Sequence, residues 1–465
     1  MVIPGASDWA ALQEAIAGEV ILPGSPGYEL ARRPAIARFH DTRPRALVRC
    51  QVPADVAETI AFARRNRVPA AVRSGGHSFA GRSSTAGIVI DVTPMGSVSA
   101  AGGVVTAGGG ARLGPLYDTL ARQHLTVAGG CGPTVGVAGL TLGGGLGILG
   151  RTHGLTCDQL LAAQVVLADG RVAECDEHHD PELFWALRGA GGGSFGVVTS
   201  LTFRTVPAPA ATAFHLTWPH RHAAGVAEAW QAWAATAPAE LAASLLLTAA
   251  GGAGRPSAVH VFGALLGTES AATALLGALA ARAGADPASA FTQHLPYHET
   301  KRYLTRLGDQ IREPAAGEQA AQPHDFSKSE FFARPLPGDA IAALVAGFAR
   351  QRPAGQSREL DFTPWAGAYN RPAADATAFP HRDALFLLKH TVSVDPGADA
   401  AGQEAARRWL DRSWARVHPF GTGGVYPNFP DPELADEARA YYGVNLVRLR
   451  RAKATYDPDG FFPFP

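Results

Sequence analysis

Short apolar runs alternate with amphipathic stretches through the N-terminal part of the chain. Residues 6–18 read as an amphipathic helix, and 28–40 as a lead-in that ends at Arg43-Pro44. Residues 46–49 form a short apolar strand. Pro53-Ala54-Asp55 then opens a helix through Arg65, with Asp55 in the first turn, where a carboxylate is favoured. Strands follow at 68–72 and 88–92, the second apolar almost throughout, as a strand covered on both faces should be. Residues 104–107 form another strand, and a glycine turn leads into a helix over about 112–124. Beyond a glycine-dense stretch come a strand at 162–167, a hairpin turn at Ala168-Asp169-Gly170-Arg171 into Val172, a helix at 181–187 and a strand at 197–205. This alternation predicts an α+β or α/β domain ending near 206–209.

The pattern changes after Pro207-Ala208-Pro209. Alanine-rich helical runs at 271–282 and 337–350 are mixed with strand-like pieces at 245–248, 259–262 and 385–389. They predict a second domain, a sheet with covering helices. We divide the chain into 1–207, 208–415 and a C-terminal segment, 416–465, that returns to the first domain. Trp409 and Trp414 sit on a predicted helix as core residues.

Two glycine-dense segments interrupt this pattern. Arg73-Ser74-Gly75-Gly76-His77-Ser78 follows the 68–72 strand, and its bare N–H groups suit an anion such as a pyrophosphate. The run 128–150 repeats the device with Gly136, Gly139, Gly143, Gly144, Gly145 and Gly147. Together they point to a long phosphate-bearing cofactor lying across both loops, with His77 at its edge. Gly145 to Gly150 matches GxGxxG, and Asp169 follows at the distance of a ribose-binding acid. The setting is wrong for a nicotinamide fingerprint, because no clear strand feeds the glycines and Gly154 interrupts the helix that should follow.

Composition narrows the class. The chain has 465 residues, 46% hydrophobic, with 41 basic and 41 acidic side chains. That length predicts two domains, and zero formal charge argues against a nucleic-acid or acidic-membrane partner. Residues 1–22 show no basic region followed by an apolar run, and no apolar stretch is long enough to span a bilayer, so a soluble, cytoplasmic protein is expected. Cys50, Cys131, Cys157 and Cys175 lie at irregular spacings with no CxxC, so neither a zinc site nor a disulfide framework is indicated. His178 and His179, beside Asp176, Glu177 and Asp180, read as a solvated turn rather than a metal cluster. No resident metal is expected.

"VRSGGHSFAG" at 72–81 resembles the flavin-attachment loop of the vanillyl-alcohol-oxidase superfamily of FAD-linked oxidases. "GPTVGVAGLTLGGGLGILGRTHGLTCDQL" and the tail "YYGVNLVRLRRAKATYDPDGFFPF" are similar to the berberine-bridge-enzyme-like group. The resemblance covers about residues 25–205 and 355–465 and is weakest between them. It implies an α+β fold: a PCMH-type FAD-binding domain of two α/β subdomains, plus a substrate domain with an antiparallel sheet under helices. It further implies an FAD joined to His77 by an 8α-histidyl bond, a small-molecule substrate and dioxygen as the acceptor. FAD contacts are implied for Arg73, Ser74, Gly75, Gly76 and Ser78, for Gly139 and Gly143 to Gly147, and for Gly196 and Val198 in the adenine and ribityl segment. Asp158 would order the loop, while Asn428 and Asn445 would lie near the flavin.

Relatives with two covalent bonds carry a cysteine directly before Pro-Thr-Val-Gly that reaches carbon 6 of the ring. Here Cys131 stands one position early and Gly132 takes that place. A one-residue slip reverses a side chain in extended backbone, yet flanking glycines permit compensation. A second thioether and a free thiol both remain open. Tyr426, in Tyr426-Pro427-Asn428, matches the family's Tyr-x-Asn position and is the candidate base; a packing tyrosine is the alternative. Its phenol would need a cation or hydrogen bonds to work near neutrality. Tyr369 is a second candidate and Asp361 a weaker one. Lys389 and His390 could charge the pocket or lie on a solvated surface. Asp457-Pro458-Asp459-Gly460 reads as a turn. The sequence thus points to an FAD-dependent oxidase acting on an alcohol, sugar, amine or activated C–H centre. A flavin-retaining protein without turnover and a nicotinamide-dependent dehydrogenase are the rivals.

Overall fold

The structure is a computed structural model that describes residues 4–249, 257–312 and 323–464. Three sheets organise it. The first orders its strands Glu19–Ile21, Ala46–Arg49, Ile88–Asp91 and Ala70–Arg73, the last three parallel. All four residues of Ile88–Asp91 are buried, as a central strand between two covered faces requires. The helix Pro53–Arg65 makes the parallel crossover, and Asp55 anchors its start by accepting from the N–H groups of Ala17, Gln51 and Val52.

The second sheet has five antiparallel strands, ordered Val98–Ala101, Val104–Gly108, Val197–Arg204, Leu160–Val166 and Val172–Asp176. Its apolar face shares a core with the helices Leu113–Ala121 and Pro181–Leu187 and with Tyr441, Tyr442 and Leu449 of the C-terminal segment. All seven strands of the third sheet are antiparallel, in the order Ser289–Leu295, Ala211–Pro219, Ala258–Leu265, Leu241–Ala249, Gln356–Pro364, Phe386–Val394 and His324–Phe332. Period-2 alternation buries Leu245, Leu247, Leu360 and Phe362 beneath the helices Ala223–Thr236, Gly338–Phe348 and Ala400–Ala415. The opposite face carries polar residues such as His215, Asp361 and Lys389. The whole is α+β, and among the described residues no helix is long and apolar enough to cross a membrane.

Two readings of the sequence are corrected here. His390 is fully buried under the helix Ala400–Ala415, sharing a hydrogen bond of 2.9 Å with Ser413, so it is no surface residue. Lys389 lies over the rings of Phe79 and Phe429 at 5.5 and 4.8 Å, between segments from both ends of the chain. The turn at Asp457 also does more than reverse the chain. Its carboxylate accepts from the N–H groups of Phe461 and Phe462 and pairs with Lys453 at 2.5 Å. Lys453 in turn donates to the carbonyls of Ser194 and Phe462, tying the tail to the loop that precedes the strand Val197–Arg204. Asp457 is fully buried, so Lys453→Met leaves a buried carboxylate without its cation and should cost about 3–5 kcal/mol. A urea titration would show the lowered midpoint, and limited proteolysis would show release of the tail. An unchanged midpoint would refute this anchor.

Candidate active site

The two glycine loops meet backbone to backbone. A Cβ at Gly75 or at Gly136 would collide with the main chain of the other loop, so both positions exclude any side chain. Ser74 fixes the first loop by donating to the Gly109 carbonyl at 2.8 Å, and Ser78 closes its far end by accepting from the Arg82 N–H. The N–H groups of Gly75, Gly76, His77 and Ser78 form no hydrogen bond among the described residues. Neither do those of Gly192 and Gly193; a Cβ at Gly192 would come within 3.7 Å of the Gly139 Cα, and the Cβ direction at Gly139 is open. Uncommitted N–H groups beside bare glycine faces are the donor set a diphosphate needs. The FAD implied by these loops therefore fits the residues present. A cleft of about 760 Å³ borders Ser74 to His77, Asp91, Arg112 and Thr134, at the carboxyl ends of the parallel strands.

His77 Nε2 shares a hydrogen bond of 3.0 Å with Thr134 Oγ1, and Nδ1 has no partner among the described residues. Burial, followed by the charge of Arg112, pushes the imidazole below its usual range. It is neutral near pH 7, the form that can act as a nucleophile. Three residues upstream of Thr134, Cys131 is partly exposed and packs towards Ile148, Leu304 and Leu307. Burial raises its thiol, while the nearby Lys301 pulls the other way.

The 143–150 stretch passes over a buried aromatic floor of Trp365, Tyr369, Phe379 and Tyr426. Tyr426 is 1% exposed, and its hydroxyl oxygen accepts from the N–H groups of Gly145 and Leu146, at 2.9 and 3.1 Å, and from Asn428 Nδ2 at 3.1 Å. Burial pushes the phenol up to about 12 against the pull of these three donors. The same Asn428 amide donates to the Leu140 carbonyl, and a Cβ at Gly143 would strike its side chain. Tyr369 both accepts from the Gly147 N–H and donates to the Gly147 carbonyl, so its hydroxyl is committed on both sides. Gly145 takes φ +90° and abuts Thr156 Oγ1, a place for glycine alone. No strand enters this loop and no long helix leaves it, so its GxGxxG match is not a nicotinamide fingerprint.

Several residues that the resemblance places near the cofactor have side chains engaged in holding the protein together. Arg73 is buried and donates to the carbonyls of Ala31, Arg32 and Ser83. The Asn445 amide is taken up by the carbonyls of Ala374, Thr377 and Ala378. Val198 packs in the core of the second sheet, and Gly196 directly precedes its strand, where a Cβ would strike Val165 and Val166. Gly144 packs on Phe379 and Gly147 on the Gly129 backbone. Asp158 caps its own turn through the Leu155 N–H and forms a two-pronged pair with Arg382 at 2.7 and 2.8 Å. Asp361 lies half-buried on the polar face of the third sheet. His179 pairs with Asp176 in an exposed turn, and among the described residues no group of metal-ligating side chains assembles. Sequence reasoning missed Lys301, Thr305 and Arg382; none stands in a recognisable motif.

A fold with this glycine double loop is that of a flavin-adenine-dinucleotide-binding protein. Residues 44–176 match the family of FAD binding domains, and residues 425–465 match the "Berberine and berberine like" family. An uncharacterised FAD-linked oxidoreductase of Bacillus subtilis, YvdP, is 34% identical over 97% of either chain. Chitooligosaccharide oxidase of Gibberella zeae is 29% identical, covering 91% of this chain and 86% of its own. Among solved structures, the Physcomitrella patens BBE-like 1 protein superposes with a TM-score of 0.86 at 26% identity over 98% of both chains. Glucooligosaccharide oxidase of Acremonium strictum, which carries a 6-S-cysteinyl, 8α-N1-histidyl FAD, gives 0.86 at 27% identity and the same coverage. The chain belongs to the berberine-bridge-enzyme-like FAD-linked oxidoreductases, and its cofactor is FAD.

The Asp158–Arg382 pair is the strut on which the 143–158 loop rests, with side chains 11% and 3% exposed. Arg382→Ala should lower stability by about 3–5 kcal/mol and reduce flavin content on purification. Calorimetry and the visible absorption of the purified protein measure the two effects; wild-type values for both would refute the assignment.

Proposed function

We propose that the protein oxidises a hydroxyl- or amine-bearing small molecule, with its FAD bonded to His77 and dioxygen as the electron acceptor. When bound, the flavin supplies a ring that accepts a hydride. The chain supplies the rest. The neutral imidazole of His77, with Nδ1 uncommitted, is suited to form the covalent bond. Main-chain N–H groups of residues 75–78 and 192–193 hold the diphosphate. Tyr426 takes the substrate's proton.

The observation that carries this reading is the convergence of three hydrogen-bond donors on Tyr426 Oη. A neutral phenol oxygen has a proton of its own and fewer free lone pairs than that set can use; a phenolate satisfies all three. To take the substrate's proton Tyr426 must first be a phenolate; burial opposes that form and the three donors favour it, so turnover should rise with pH as the phenol ionises. Tyr369, with its hydroxyl engaged at both ends, is a strut for Gly147 and not the base. The activities of relatives, among them chitooligosaccharide oxidase and (R)-6-hydroxynicotine oxidase, support a small-molecule substrate.

Acid denaturation followed by intact-mass measurement tests the cofactor: one FAD should stay with the chain and be lost in His77→Ala. A chain of unmodified mass would overturn the covalent bond. Tyr426→Phe should keep its flavin and lose turnover by about 10²–10⁴-fold, measured as hydrogen peroxide release from a panel of alcohols, sugars and amines. Unchanged turnover would remove Tyr426 as the base. Flavin reduction by substrate without peroxide would make the protein a dehydrogenase. Flavin retention with no reduction by any member of the panel would favour a flavin-binding protein without turnover.

A further inference from the structure

The helix Tyr297–Arg312 of the substrate domain lies against the loop that carries Cys131, and Lys301 is its buried contact. Lys301 is 4% exposed. Its Nζ donates to the carbonyls of Gly129 and Gly130 at 3.0 and 3.1 Å and sits 3.4 Å from the centroid of the Tyr117 ring. No carboxylate pairs with it among the described residues. Tyr117 also donates to the Gly130 carbonyl, at 2.8 Å, and Thr305 donates to the Cys131 carbonyl at 3.0 Å. Three successive carbonyls, of Gly129, Gly130 and Cys131, are thus turned towards one helix face.

Covalent geometry makes this arrangement informative. The Gly130 carbonyl belongs to the peptide that ends at the Cys131 nitrogen, so Nζ is no more than about 6 Å from the Cys131 Cα. A buried ammonium at that range, with no anion of its own, favours a thiolate over a thiol. Burial draws the Lys301 ammonium down to about 7 and raises the Cys131 thiol, and each moves the other back towards its charged form. The other titratable groups facing the pair are the phenols of Tyr117 and Tyr297. The Tyr297 hydroxyl is buried and has no partner among the described residues, with its ring 5.4 Å from Nζ. A buried hydroxyl left without a partner is a rare exception in a folded protein and points to an atom the protein itself does not provide.

We propose that Lys301 is the positioning residue for a second attachment of the flavin, presenting Cys131 to the ring as a thiolate. This corrects for the one-residue displacement of Cys131: the helix, rather than the usual place before Pro133, sets the direction of the sulfur. The thiol loses its proton and the sulfur bonds to carbon 6 of the ring. The hydrogen at that carbon leaves as a second proton, and the two electrons left behind pass to dioxygen, which with both protons becomes hydrogen peroxide. The inference rests on the flavoprotein reading above.

Peptide mapping of the purified holoprotein is the test, with alkylation of free thiols before digestion. In the wild type, one FAD should join the His77 and Cys131 peptides. In Lys301→Met the FAD should remain on His77, while the doubly linked fraction falls at least tenfold and Cys131 becomes alkylated; a tenfold fall corresponds to one pKa unit in the thiol. Lys301→Arg, which keeps the charge, should restore the second bond. Full double linkage in Lys301→Met would overturn the proposal. So would loss of both bonds in that variant, which would make Lys301 a strut for the whole fold. Wild-type protein with FAD on His77 and an alkylated Cys131 would overturn it while leaving the flavoprotein reading intact. A chain carrying no FAD would sink that reading itself.

Discussion

A glycine-rich backbone cannot hold its own course; something outside it must satisfy its polar groups. Here the 128–150 segment makes few of its own hydrogen bonds beyond two short helical turns, and distant buried side chains take up the slack. Tyr426 and Asn428 come from near the C-terminus, Tyr369 from the third sheet's connections, and Lys301 and Thr305 from the helix on its other side. Each unpaired buried N–H or C=O would cost on the order of 1–3 kcal/mol. The loop's shape, and with it the flavin surface, is therefore a property of the assembled chain.

This arrangement links binding to catalysis. The oxygen that holds the Gly145 and Leu146 peptides in place is also the one best provided with donors to stabilise negative charge. In the proposed reaction the base is a group whose position is already set by the peptides it holds. The same economy explains why Tyr369 and Tyr426 take different roles on one floor. Tyr369 donates to a carbonyl and so has its proton placed; Tyr426 faces donors only.

The helix Tyr297–Arg312 packs against the Cys131 loop, so the region of the third sheet meets the glycine-rich segment directly. That sheet turns an apolar face to its own helices and a polar face carrying His215, Asp361 and Lys389 the other way. Lys389, over Phe79 and Phe429, joins the His77 loop to the C-terminal segment. The substrate-side wall and the flavin-side loops thus share residues at their boundary.

Much of this was legible in the sequence. Local rules placed the first-domain strands and helices to within a few residues, because uniform apolar runs, helix-opening Pro-Ala-Asp and a hairpin Asp-Gly depend only on neighbouring residues. The paired glycine loops announced a phosphate-bearing cofactor for the same reason: bare backbone is a local property. Several strands and helices of the alanine-rich central region escaped, since alanine marks neither period strongly. For Arg73, Val198 and Asn445 the motif reported that a residue is present, and only the structure shows that their side chains are engaged inside the fold. His390 looked polar and proved to be core. Residue type and spacing determined the cofactor class and its loops. Only the tertiary structure brought Lys301, Tyr426 and Arg382 to one loop from positions far apart in the chain, because the buried polar groups of that loop are satisfied by non-local contacts.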